Sequence, residues 1–131
     1  MAKVLGIDFG NSRIGIALGE GGVSYPLKIL NGKSLDEVLR NIKKVIEENR
    51  ISFIVLGIPK NETIGVKRFK KVLEDEMGLP IRLLNEDFTS KEALEYSIKM
   101  GYSKKGRRYL DDVAACMILE RHFDDDKKSA D

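Results

Sequence analysis

From Lys3 to Phe9 the chain is almost continuously apolar, with Val4, Leu5 and Ile7 leading to the turn former Gly10, a pattern that predicts a buried strand. Arg13 to Leu18 then alternates, Ile14, Ile16 and Leu18 on one face and small residues on the other, and the short Gly10-Asn11-Ser12 link predicts a hairpin. After Glu20-Gly21-Gly22, Val23 to Leu30 predicts a third strand, which Pro26 assigns to a sheet edge. The period then changes. Ser34 with Glu37 forms a capping box, and Leu35, Val38, Leu39, Ile42, Val45 and Ile46 trace one helical stripe. Phe53 to Gly57 is a compact apolar run of the kind found in strands covered on both faces. Val66, Phe69, Val72, Leu73 and Met77 mark a second helix, stopped by Gly78 and Pro80, and Ile81 to Leu84 a fifth strand. Thr89 with Glu92 opens a third helix ending near Gly101. Asp111 is expected to cap a fourth, with Val113, Ala114, Met117 and Ile118 turned inward.

The element order is therefore β-β-β-α-β-α-β-α-α, an α/β fold. A strand-helix-strand unit demands parallel pairing and a right-handed crossover, so the fourth and fifth strands run parallel. If the fourth also pairs with the first, three strands end at one edge, where open α/β sheets bind ligands. Asp8, Gly57-Ile58-Pro59 and Asn85-Glu86-Asp87 would stand there.

Composition narrows this picture. A chain of 131 residues, 42% hydrophobic, has room for one core. No apolar run approaches the ~20 residues that span a bilayer, and the first residues lack a secretory cleavage pattern. The single cysteine, Cys116, rules out an internal disulfide and a cysteine-based zinc site, so a cytoplasmic setting is expected. One domain is expected over residues 1–123. The charged stretch 124–131, with Asp124, Asp125 and Asp126, is expected to be a disordered tail, and His122 a favourable charge at a helix C-terminus. The net charge of +2 says nothing of partners by itself.

Asp8 is the sharpest chemical signal. It ends a strongly apolar strand, where a charge is costly unless paired, hydrogen-bonded or bound to metal. Glu86 ends the fifth strand in the same way, and Asp111 opens a helix able to pack beside the first strand. Asp111 also reads as an ordinary helix cap, and the two roles are compatible. Three converging carboxylates repel unless cations neutralise them. Hard oxygen donors without cysteine or a well-placed histidine select Mg2+ or Mn2+ over zinc.

The stretch Gly6-Ile7-Asp8-Phe9-Gly10-Asn11-Ser12-Arg13-Ile14-Gly15-Ile16-Ala17 resembles the opening motif of the YqgF (RuvX) family, Holliday-junction-resolvase-like proteins of the ribonuclease H superfold. Val55-Leu56-Gly57-Ile58-Pro59, Asn85-Glu86-Asp87-Phe88-Thr89-Ser90 and Asp111-Asp112-Val113-Ala114-Ala115 resemble three further family segments, in the right order. The resemblance implies a ribonuclease H-like, five-stranded mixed sheet of order 3-2-1-4-5 flanked by helices, and a metal-dependent nuclease. The family is described as candidate Holliday junction resolvases and as nucleases maturing the 5′ end of precursor 16S ribosomal RNA. Its acidic positions fall on Asp8, Glu86 and Asp111, with Asp8 bridging the ions. Two positions depart from the pattern: Asn85 stands for an acid and Asp87 for an arginine. The loop after Pro59 is also shorter than usual.

Lys104, Lys105, Arg107 and Arg108 precede Asp111 directly. They read either as a solvated charge run or as a grip on a phosphate backbone, beside a metal site that favours the second reading. Arg13 and Lys60 are further candidates for contact with nucleic acid. The expected partner is nucleic acid, either a structured RNA precursor or branched DNA, with no membrane, and the protein a monomer or homodimer. Two other functions compete. A non-catalytic nucleic-acid or ribosome-assembly module would keep the fold without turnover. An actin-like ATPase would share the superfold, but needs two such domains.

Overall fold

The computed structural model describes residues 2–10, 12–31, 34–60, 64–86, 88–102 and 109–130. Five strands form one sheet: β1 (Lys3–Phe9), β2 (Arg13–Glu20), β3 (Val23–Asn31), β4 (Ile51–Ile58) and β5 (Ile81–Asn85). Their order is β3-β2-β1-β4-β5, as the family likeness implies. β1 pairs antiparallel with β2 and parallel with β4, and β4 pairs parallel with β5, so β1, β4 and β5 end at one edge. β3 takes the outer position that Pro26 predicts, with a register shift where Ala17 meets Pro26. β4 begins two residues before the expected Phe53, because Ile51 already pairs with Lys3.

Helix α1 (Leu35–Asn49) and helix α2 (Ile64–Met77) cover one face, and α4 (Asp111–Ala130) the other, with α3 (Ser90–Lys99) packed on α4. Each face follows from strand alternation. Leu5, Ile7, Ile14, Ile16, Ile54 and Leu56 point toward α1 and α2, where Val38, Ile42, Phe69 and Leu73 complete a fully apolar cluster. The opposite face carries Val4, Ala17, Val55 and Leu84 against Ala115, Cys116, Ile118 and Leu119 of α4. Small residues there let α4 approach closely. A Cβ on Gly15 would overlap the Asp111 carbonyl, and one on Gly57 would overlap the Ile118 δ-methyl. Cys116 is core, as expected, and burial pushes its thiol up to about 12.

Three helices place acid in their first turn, where the helix dipole favours it: Asp36 and Glu37 in α1, Glu92 in α3, Asp111 and Asp112 in α4. Helix α2 is reversed. Its first turn holds no acid, Lys67, Arg68, Lys70 and Lys71 fall within its first eight residues, and Glu74, Asp75 and Glu76 near its end. Charge set against the dipole at a helix end costs about 0.3–1 kcal/mol per residue.

Two expectations are corrected at the C-terminus. The stretch from Asp124 is helical through Ala130 rather than disordered. Its charge is compensated: Arg82 donates to Asp125 at 2.7 Å and Arg121 donates to Asp125 at 3.4 Å. Because the helix continues, His122 is no terminal charge. It is buried midway along α4 and stacked on Phe53 at a ring separation of 5.5 Å. Arg82 donates to its Nδ1 at 2.8 Å, which requires an unprotonated nitrogen there. Burial lowers its pKa below the ordinary value.

Candidate active site

The end of β1 sets Asp8 opposite Gly15 of β2 and Gly57 of β4, neither of which has a side chain to screen it. Since Val4 belongs to the α4 side, the pleat puts Asp8 on that side too. Helix α4 starts directly above. Asp111 is its first residue and not its cap: the Leu110 carbonyl takes the cap position, accepting from the Ala114 amide at 2.9 Å. The Asp111 side chain turns instead to Arg13, whose Nε donates to Oδ2 at 2.9 Å. This hydrogen bond raises the Arg13 pKa further above its ordinary value. The Arg13 guanidinium lies 3.7 Å from the centre of the Tyr109 ring, a cation–π contact.

Asp8, Arg13, Tyr109 and Asp111 line one cleft of about 150 Å³. Its remaining wall is the start of α3, including Thr89 and Ser90. Thr89 caps that helix, its Oγ1 accepting from the Glu92 amide and donating to the Glu92 carboxylate, both at 3.1 Å. The positive end of the α3 dipole therefore borders the cleft and favours an anion such as phosphate.

Glu86 behaves differently. Gly57 pairs with Leu84, so Glu86, two residues on, falls on the same face as Asp8. Its amide donates to the Ile58 carbonyl at 3.1 Å, prolonging the strand pattern. Its carboxylate, however, accepts from Arg121 at 3.4 Å and does not line the Asp8–Asp111 cleft. Two strand spacings, about 10 Å, separate β1 from β5. Among the described residues no three His, Cys, Asp or Glu side chains stand close enough to hold a metal ion. The structure thus brings Asp8, Asp111 and Arg13 together and holds Glu86 aside through Arg121.

Lys60 is exposed just past β4, at the same sheet edge but outside the cleft lining. Lys104, Lys105, Arg107 and Arg108, and the departure at Asp87, lie outside the described residues. The flanks of the basic stretch are anchored: the Tyr102 hydroxyl donates to the Ser24 carbonyl at 3.2 Å, and Tyr109 underlies Arg13. Sequence reasoning missed Tyr109 as the Arg13 platform, Thr89 and Ser90 as a cleft wall, and Arg121 as the Glu86 partner. The Thr89/Glu92 capping box is a legible signal for the second. No local pattern announces the other two.

Comparison with known proteins agrees with this architecture. Residues 2–125 match the model of a family described as RuvX, Holliday junction resolvase. A Methylobacillus flagellatus protein named as a candidate pre-16S rRNA nuclease is 36% identical, over 92% of this chain and 90% of its own. A Mycoplasma mobile protein of the same name is 38% identical, over 89% of this chain and 88% of its own. Among solved structures, RuvC of T. thermophilus in complex with a Holliday junction substrate superposes with a TM-score of 0.66 at 15% identity, covering 97% of this chain and 96% of that one. The fowlpox virus resolvase in complex with Holliday junction DNA gives 0.61 at 12% identity, covering 95% of this chain and 98% of that one. At such identities the two structures speak for the fold.

Proposed function

The chain belongs to the RuvX family, and from that premise we propose that it is a divalent-metal-dependent endonuclease that hydrolyses nucleic-acid phosphodiesters, with Asp8, Glu86 and Asp111 as its catalytic carboxylates. The observation that carries the reading is the shared cleft of Asp8 and Asp111 under the start of α3. The donor set fits Mg2+ or Mn2+: hard carboxylate oxygens on one face of one sheet edge, with no sulfur side chain among the described residues lining the cleft. The chemistry such an ion supplies is positive charge for the attacking and leaving oxygens of an in-line displacement.

The chain's own residues do the rest. Asp8 and Asp111 would hold the cation, and Arg13, braced by Tyr109, fixes the Asp111 rotamer. Glu86 would join them on release from Arg121. Thr89, Ser90 and the N–H groups at the start of α3 face the substrate phosphate. Lys60, Lys104, Lys105, Arg107 and Arg108 contact the flanking backbone, positioning it without reading sequence.

The substrate we assign is the 5′ end of precursor 16S rRNA, in the cytoplasm. Relatives that share 36% and 38% identity are named as candidate pre-16S rRNA nucleases, whereas the junction-bound structures share 15% or less. The test is cleavage of a 16S precursor RNA and a four-way DNA junction in Mn2+, wild type against Asp8→Asn. Loss of the metal-holding carboxylate is expected to slow cleavage by about 100-fold or more while binding persists. Cleavage undiminished in the variant would discard the mechanism. A second reading has one observation in its favour: Asp111 and Glu86 are both engaged by arginines. Wild-type protein that binds both probes and cuts neither would select the non-catalytic module.

A further inference from the structure

The cations of α2 are mostly unpaired among the described residues. Lys67, Arg68 and Lys71 are exposed and Lys70 is half-buried, while Val66, Phe69 and Leu73 fill the core face. Lys71 pairs with Asp75 at 3.3 Å, but Lys67, Arg68 and Lys70 make no ion pair with any other described residue. Four cations thus gather within five positions near the start of the helix, and Lys67 stands in the first turn, where the helix dipole repels it. A polyanion laid across them would neutralise this clustered charge.

The location is as specific as the charge. Helix α2 follows β4, so its start stands at the edge where β1 ends with Asp8. Lys67, Lys70 and Lys71 line a groove of about 270 Å³ along one flank. On the other flank Arg68 borders a hollow of about 140 Å³ shared with Phe9 and Gly10. Phe9 and Gly10 are the two residues directly after Asp8. The end of β1 thus stands between the Asp8–Asp111 cleft on one face of the sheet and the Arg68 hollow on the other, with the lysines of α2 on the far flank of that helix.

We propose that the N-terminal half of α2 is a docking surface for the sugar–phosphate backbone of the substrate, taking the segment that flanks the cleavage site on the side of the sheet opposite the Asp8–Asp111 cleft. The assignment rests on the nuclease reading and extends it to a face outside the cleft. Helix α1 provides an internal contrast. It lies on the same side of the sheet, but Arg40, Lys43 and Lys44 there are interspersed with Asp36, Glu37, Glu47 and Glu48, which leaves no net positive charge for a polyanion.

The test compares Lys67→Gln/Arg68→Gln/Lys70→Gln with Arg40→Gln/Lys43→Gln/Lys44→Gln, two full-length variants with equal loss of charge. Binding to a labelled RNA stem-loop with a 5′ single-stranded extension, and to a four-way DNA junction, is measured by fluorescence anisotropy in EDTA over a range of salt. The α2 variant should bind about 10-fold more weakly or worse, with the slope of log K against log salt reduced by about 2, because each lost phosphate contact removes about 0.7–0.9 from it. The α1 variant should keep the wild-type slope. The α2 variant should also melt close to wild type, since Lys67, Arg68 and Lys70 form no ion pair with another described residue. Equal effects in the two variants, or a wild-type slope in the α2 variant, would overturn this assignment and leave the nuclease reading intact. Wild-type protein that binds neither probe would overturn both.

Discussion

The two faces of the sheet bury apolar clusters by opposite means, the larger one under α1 and α2. Toward α1 and α2 the strands present Leu5, Ile7, Ile14, Ile16, Ile54 and Leu56, and large side chains interlock across the gap. Toward α4 they present Gly15, Ala17 and Gly57 among Val4 and Val55, and the helix rests almost on the backbone. The first arrangement has many small adjustments available. The second has few, and in return fixes where α4 begins. That is why the face poor in side chains carries the chemistry: Asp111 hangs over Asp8 because nothing on β2 lifts the helix away.

The largest expected effect follows from closing that gap. Gly15→Ala drives a methyl into the Asp111 carbonyl, a backbone atom unable to rotate aside. It should cost about 3 kcal/mol, lowering the melting temperature by roughly 10 °C, and abolish cleavage by displacing Asp111. Calorimetry and the nuclease assay together check this, and a variant with wild-type stability would break the comparison. Gly57→Ala meets the Ile118 side chain first, which can shift. A loss of about 1–2 kcal/mol is expected, and Ile118→Val should recover part of it, as chemical denaturation of the double variant would show. On the other face Ile42→Val should cost about 1 kcal/mol and leave cleavage unaltered, because the defect lies under α1.

The smallest effect is electrostatic. His122 is buried on the α4 side and held below 6.5, chiefly by desolvation, with Arg82 lowering it and Asp125 and Asp126 opposing. The unfolded chain therefore binds this proton at a higher pH than the folded one. Stability from this site is complete above about pH 6.5 and declines as the pH falls from there toward the folded value. Melting temperature against pH should show the decline in wild type and a flatter profile in His122→Gln. Equal profiles would remove His122 from the account.

Much of this was legible in the chain. The β-β-β-α-β-α-β-α-α order follows from period and punctuation alone, and the alternation of Ile14, Ile16 and Leu18 with Gly15, Ala17 and Gly19 already contains the asymmetry of the two faces. Asp8 stood out because a charge ending so apolar a strand needs a reason. What escaped were pairings between distant residues. Arg121 meets Glu86 across 35 positions, and Arg82 meets Asp125 across 43. A run of acids reads locally as a solvated tail, and only the third dimension supplies the arginines that fold it into helix. The same blindness places His122 at a helix C-terminus rather than midway along α4.

Helix α4 is also a strut joining two ends of the sheet edge. Asp111 and Arg121 lie ten residues apart on it, about 15 Å along its axis. Arg121 is shared between Glu86 and Asp125, so the acidic turn near the C-terminus sets how firmly Glu86 is gripped. A tag or fusion placed soon after residue 123 would intrude on that grip, although residues 124–131 look dispensable on paper. Trimming the chain for crystallisation would carry the same hazard.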